Sequence, residues 1–152
     1  MNTAQHIAQH LDQVYFGGNW TASSLEEQLK GVSWQQATTA VGDTNSIATL
    51  VFHIQYYIHA VLGVLEGEPL QAKDADSFAH PPIVSQKDWE QFLNRNFQET
   101  KRFIKAIETL DPSLMETIFV EEKYGTYYRN LQGIVEHTHY HLGQIVLLKK
   151  LL

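Results

Sequence analysis

The feature that most constrains this chain is a run of apolar residues whose spacing fits only a helix. Trp89, Phe92, Leu93, Phe97, Phe103, Ile104, Ile107 and Leu110, with Thr100 among them, recur at three- and four-residue steps without a miss. That spacing lays one apolar stripe along a helix and has no counterpart in the two-residue alternation of a strand. Ser85 opens the run with Asp88 three residues later in capping-box position, and Asp111-Pro112 closes it. A helix this long with one apolar face needs neighbours of similar length to cover it.

Three further segments supply them. Ala4, Ile7, Ala8, Leu11, Val14 and Tyr15 form the stripe of a first helix, which the sequence caps at Thr3 and ends at Gly17-Gly18. A shorter helix starts at Ser24, carries Leu25 and Leu29, and stops near Gly31. The second long helix spans about Asn45 to Leu65, with Ile47, Leu50, Val51, Ile54, Ile58, Val61 and Leu65 on a wide apolar face. The last begins near Thr126 and runs to the C-terminus, with Lys149 and Lys150 at the negative end of its dipole. Residues 68–84 hold three Pro and read as a long surface crossover, and residues 117–125 as a short extended piece with a turn. The pattern predicts an all-α four-helix bundle, a single domain over residues 1–152, with its long connection between the second and third long helices.

Composition then removes several functions. The 11 Lys+Arg face 17 Asp+Glu, a net charge of −6, so the basic footprint of a nucleic-acid binder is missing. There is no Cys, and with it go disulfides, thiolate metal ligands and a protein-borne sulfur nucleophile. The N-terminus lacks the basic and apolar regions of a secretory signal. His53, Gln55 and His59 interrupt the most apolar stretch, Ile47 to Leu65, against a membrane span. A cytoplasmic protein acting on a small-molecule substrate is the expectation.

Eight histidines are the unusual feature of this composition. His137 and His141 stand four residues apart on the last helix, about 40° from each other in projection and one turn apart. Their stripe also holds Ile134, Gln144, Ile145 and Leu148, so both imidazoles are directed into the bundle, where they can reach a single ion. His139 is expected on the far side with Glu136 and Lys150. A mononuclear site needs a third ligand, and His53, at mid-height of the second long helix, is the best candidate; His59 points away from its flank. The alternative is that these are core histidines satisfied by tyrosine hydroxyls and carbonyls. His6 and His10 share the four-residue spacing but lie off the apolar stripe and read as solvated. Glu136-x-x-His139 has no second copy and no inward carboxylate, so a di-iron site is not expected. Zincin, nucleophile-elbow and phosphate-loop motifs are absent.

Two segments carry a resemblance: Asn45-Ser-Ile-Ala-Thr-Leu-Val-Phe-His53, and Gly133-Ile-Val-Glu-His-Thr-His-Tyr-His-Leu-Gly-Gln-Ile145. With the helix order and the central crossover, the chain resembles the DinB/YfiT-like superfamily of metal-dependent enzymes. The resemblance implies an up-down-down-up bundle, a homodimer, and a three-histidine site formed by His53, His137 and His141 with nickel or zinc as the divalent ion. Characterised relatives include transferases and isomerases that use low-molecular-weight thiols.

Three neutral imidazoles leave the charge of a divalent ion uncompensated, so an open position would acidify a water or a thiol strongly. The expected activity is hydrolysis through water or transfer to a thiol cosubstrate, the latter in keeping with a chain that has no Cys. Tyr57, Tyr140 and Gln144 are the candidate proton and hydrogen-bond partners. Glu121, Glu122 and Lys123 either rim the site or form a solvated turn. A non-catalytic metal-binding or stress-related bundle protein is the alternative. Because free imidazole titrates near pH ~6.5, metal affinity is expected to fall below that region.

Overall fold

The computed structural model describes residues 1–152. It is all-helical, with six α-helices of which four are long: α1 (Thr3–Phe16), α2 (Leu25–Leu29), α3 (Trp34–Thr38), α4 (Ile47–Leu65), α5 (Gln86–Glu108) and α6 (Tyr127–Leu151). Each long helix begins where a short polar side chain can accept a free backbone N–H. Ser46 does this for α4, Ser85 for α5 and Thr126 for α6. In α1 the cap is Asn2 rather than Thr3: Asn2 and Gln5 exchange hydrogen bonds as a capping box, and Thr3 is the first helical residue. Asp88 accepts from the Ser85 hydroxyl and the Val84 N–H, so the start of α5 is bonded on both sides of its cap. That helix ends at Glu108, two residues before the last residue of its apolar run.

The one helix that the periodicity missed is α3, a single turn with a capping box between Ser33 and Gln36. It is too short for a repeating stripe and buries only Ala37. The turn at residues 117–125 has the expected form: Ile118 and Thr126 make an isolated antiparallel bridge around a 3₁₀ turn at Glu122–Tyr124.

Packing runs around a ring, with α1 against α5 and α6, and α4 against α5 and α6. A continuous core of 32 buried apolar residues fills the centre. Trp89 sits in it almost fully buried and donates its indole N–H to the Val32 carbonyl, tying α5 to the segment after α2. Helix α4 is the one helix long and apolar enough to cross a membrane, and most of it is buried inside the protein. Its polar residues explain the interruptions in its sequence. Gln55 donates to Glu99 and accepts from Thr100 on the α5 side, His59 is exposed and pairs with Glu99, and His53 faces α6.

The crossover is more than a surface strap. Residues Asp74–Phe78 wind into a 3₁₀ turn that packs on α4, with Ser77 completely buried.

Candidate metal centre

Helices α4 and α6 bring His53, His137 and His141 together. Each offers one ring nitrogen, and these three atoms all lie within 4.8 Å of one another. His53 and His141 are buried and His137 half-buried, with ring centroids 4.5–4.9 Å apart across the three pairs. His141 comes one helical turn after His137 on α6, and the α4 surface presents His53 opposite both.

Hydrogen bonds orient two of the rings. Ser77 donates its hydroxyl to the Asp74 carbonyl (2.6 Å), which leaves the Ser77 oxygen to accept from His53 Nδ1–H at 2.9 Å. Gln144 Oε1 accepts from His141 Nδ1–H at 2.6 Å. Both rings are thereby assigned the tautomer with its lone pair on Nε2, and that of His141 accepts from His137 Nε2–H, a proton that a bound ion would replace. Such Nδ1 bonding is the arrangement found where histidine holds a metal and its second nitrogen is fixed by a neighbour. The His137 Nε2 lies 3.0 Å from the His141 Nε2, and no chain group bonds the other His137 nitrogen. The set fits a divalent transition ion: three imidazole nitrogens within 4.8 Å of one another need only draw together slightly to share one ion at the ~2.0–2.1 Å of a metal–nitrogen bond.

The electrostatics favour neutral rings. Burial lowers the pKa of His137 to about 4, with repulsion from His141 and His53 adding to it. Burial is also the main cause of the lowered values of His53 and His141. The three rings would therefore stay available to a cation further into acid than free imidazole, which moves the expected onset of proton competition below pH ~6.5.

A cavity of about 560 Å³ opens directly in front of the rings. Its walls include Tyr57 and Asp74 on one side and Arg129, Gly133 and Tyr140 along α6. Tyr57 donates its hydroxyl to the Asp74 carboxylate, and burial together with that bond raises its pKa, so it remains a phenol. Tyr140 is mostly exposed at the lip, its ring 4.9 Å from that of His141. Gln144 is the His141 partner just described.

Sequence reasoning missed the contribution of the crossover. Ser77 bonds His53, Asp74 bonds Tyr57, and the Phe78 ring stacks on His53 at 4.2 Å. The Asp74-Ala-Asp-Ser-Phe78 run within a Pro-flanked segment carried no helical period to mark it. The acidic turn does not rim the site; Glu121 and Lys123 pair with each other in solvent, while Arg129 and Asn130 occupy the wall. His139 is also corrected. It is half-buried with its ring 5.6 Å from His10 of α1, while Glu136 and Lys150 are exposed. His6 and His10 are exposed, as their phase predicts.

The profile of the DinB superfamily matches residues 18–145, a span that includes all three histidines. The chain belongs to the DinB superfamily. Comparison with curated proteins and with solved structures returns no match.

Proposed function

We propose that the chain is a metal-dependent enzyme in which His53, His137 and His141 hold one divalent transition ion, nickel or zinc, and act on a small molecule in the adjoining cavity. The observation that carries this reading is the convergence of three neutral imidazoles, two of them fixed through Nδ1, at the floor of an open cavity. Structural zinc sites are closed by four protein ligands, whereas catalytic ones keep a position free. Three ligands facing a cavity favour the catalytic kind over a vestigial or structural site.

When bound, such an ion supplies Lewis acidity to a water or a low-molecular-weight thiol. The chain's own residues do the rest. Ser77 and Gln144 keep protons on Nδ1 and so keep the Nε2 lone pairs directed inward. Asp74 is the acidic side chain in the cavity wall and can take a proton from an acidified group, directly or through the Tyr57 hydroxyl. With no Cys in the chain, any sulfur nucleophile arrives as a cosubstrate. Hydrolysis and thiol transfer both fit this machinery.

The same reading includes an up-down-down-up bundle and a homodimer. The direction of the helices is supported by contacts in register: His53 meets His141 and Tyr57 meets His137, as antiparallel helices would, while Gln55 meets Glu99 and Glu66 meets Arg102. Elemental analysis of untagged protein, followed by hydrolase and thiol-transfer assays on the metal-loaded chain, tests the proposal. Absence of a bound ion would remove it.

A further inference from the structure

The wall of the cavity along α6 is built unusually. Arg129, Gly133 and His137 follow one another at four-residue steps, so they lie on one side of the helix over a rise of about 12 Å. Gly133 lies inside the helix, where glycine is less favourable than alanine. Nothing within 4 Å would meet a Cβ there, so packing does not require the glycine. Its effect is to leave a smooth strip of backbone between the imidazoles and Arg129.

Arg129 is the one cationic side chain of the cavity wall, and it pairs with no carboxylate of the chain. Its side chain is exposed, and its stem passes close over Gly125. Gly125, at a φ of +74°, lets the Arg129 Cδ approach to 2.8 Å from where a Cβ would stand. Any other residue at 125 would push this stem away as well as strain the turn. Asp74, the acidic group of the same cavity, already holds the Tyr57 hydroxyl.

We infer that the molecule taken by this site is an extended anion, which lies over Gly133 with its reacting end at the three histidines and a carboxylate or similar group on Arg129. This rests on the metal reading above and adds the charge and shape of the ligand. A guanidinium recognises a carboxylate through paired charge-assisted hydrogen bonds, so the charge at the far end of the ligand should matter.

The test uses the full chain loaded with cobalt(II), whose thiolate charge-transfer absorption reports binding without turnover. The probes are a graded series of ω-mercaptoalkanoic acids and the matching ω-mercaptoalcohols, with ethanethiol as the small reference. The acids of intermediate length should bind about tenfold or more tightly than their alcohols. Arg129→Gln should erase that preference and Arg129→Lys restore part of it, both with cobalt content unchanged. Gly133→Leu, which improves helix propensity, should block the longer probes and spare ethanethiol. Equal affinity for acids and alcohols, or a preference that survives Arg129→Gln, overturns this inference while the metal reading stands. A chain that takes up no cobalt at the histidines overturns both.

Discussion

His53 and Ser77 are joined by a 2.9 Å hydrogen bond between Nδ1 and Oγ, although 24 residues and the whole helix-to-turn connection separate them. The bond fixes one ring of the histidine cluster from a segment outside the long helices. Removing it leaves the ligand in place but frees its rotation. Ser77→Ala is therefore expected to weaken metal affinity by about 10–100-fold without loss of the helical fold. Competition with a chromophoric chelator measures this, with circular dichroism as the folding check. An unchanged affinity would show that the stack of Phe78 on His53 alone orients the ring.

One divalent ion per chain is expected on elemental analysis, and His141→Ala should abolish it. Of the three proposed ligands, His141 is both buried and bonded to Gln144, so its loss should leave the other two rings too few to hold the ion. Full stoichiometry in that variant would remove His141 from the site.

The metal-free protein should lose stability in mild acid. His137 has a folded pKa of about 4, and an unfolded histidine titrates near ~6.5. Between those values the unfolded chain binds more protons than the folded chain, so stability rises with pH. This contribution is complete above pH ~6.5 and is lost as pH falls through the window toward ~4. Thermal melts of chelator-treated protein across that range should slope downward into acid, and His137→Gln should flatten the slope. A wild-type slope identical to that of the variant would contradict the assignment.

The double variant His6→Ala and His10→Ala should keep its metal. Both residues are exposed, and exposed changes usually stay within about ±0.5 kcal/mol. His10 touches His139, so any loss of stability should appear with His10→Ala and not with His6→Ala. Loss of the ion in either variant would mean that α1 contributes to the site.

Gly143 offers a contrast to Gly133 on the same helix. It is exposed, a Cβ added there would meet only open space, and it has no place in the cavity wall. Gly143→Ala is expected to raise stability by about 0.5–1 kcal/mol through helix propensity, read as a higher Tm with metal content unchanged. A lower Tm would reveal a packing role for that face.

The long helices were legible because their apolar residues repeat for many turns, and the phase of that repeat also separated His137 and His141 from His6 and His10. Gln144 was legible for the same reason, since i and i+3 on a helix are neighbours. What escaped was non-periodic. A single-turn helix at Trp34–Thr38 has no repeat to read, and the Asp74–Phe78 turn announces itself only through contacts with α4 that are distant in sequence. His139 was misplaced by the same geometric reasoning that succeeded for its neighbours, because helix phase gives direction and says nothing of how far α1 reaches around α6 to meet it.

The turn that carries the buried Ser77 has a thermodynamic consequence. One imidazole, that of His53, presents Nε2 to the ligand cluster and Nδ1 to the crossover, so the two share a single ring. Whatever tightens one nitrogen restrains the other, and the coupling is reciprocal. Loading the cluster should slow amide hydrogen exchange and proteolysis between residues 68 and 84, and a nick in that connection should in turn lower the cluster's hold on its ion. A segment that sequence reads as a spacer would thus act as a reporter of occupancy.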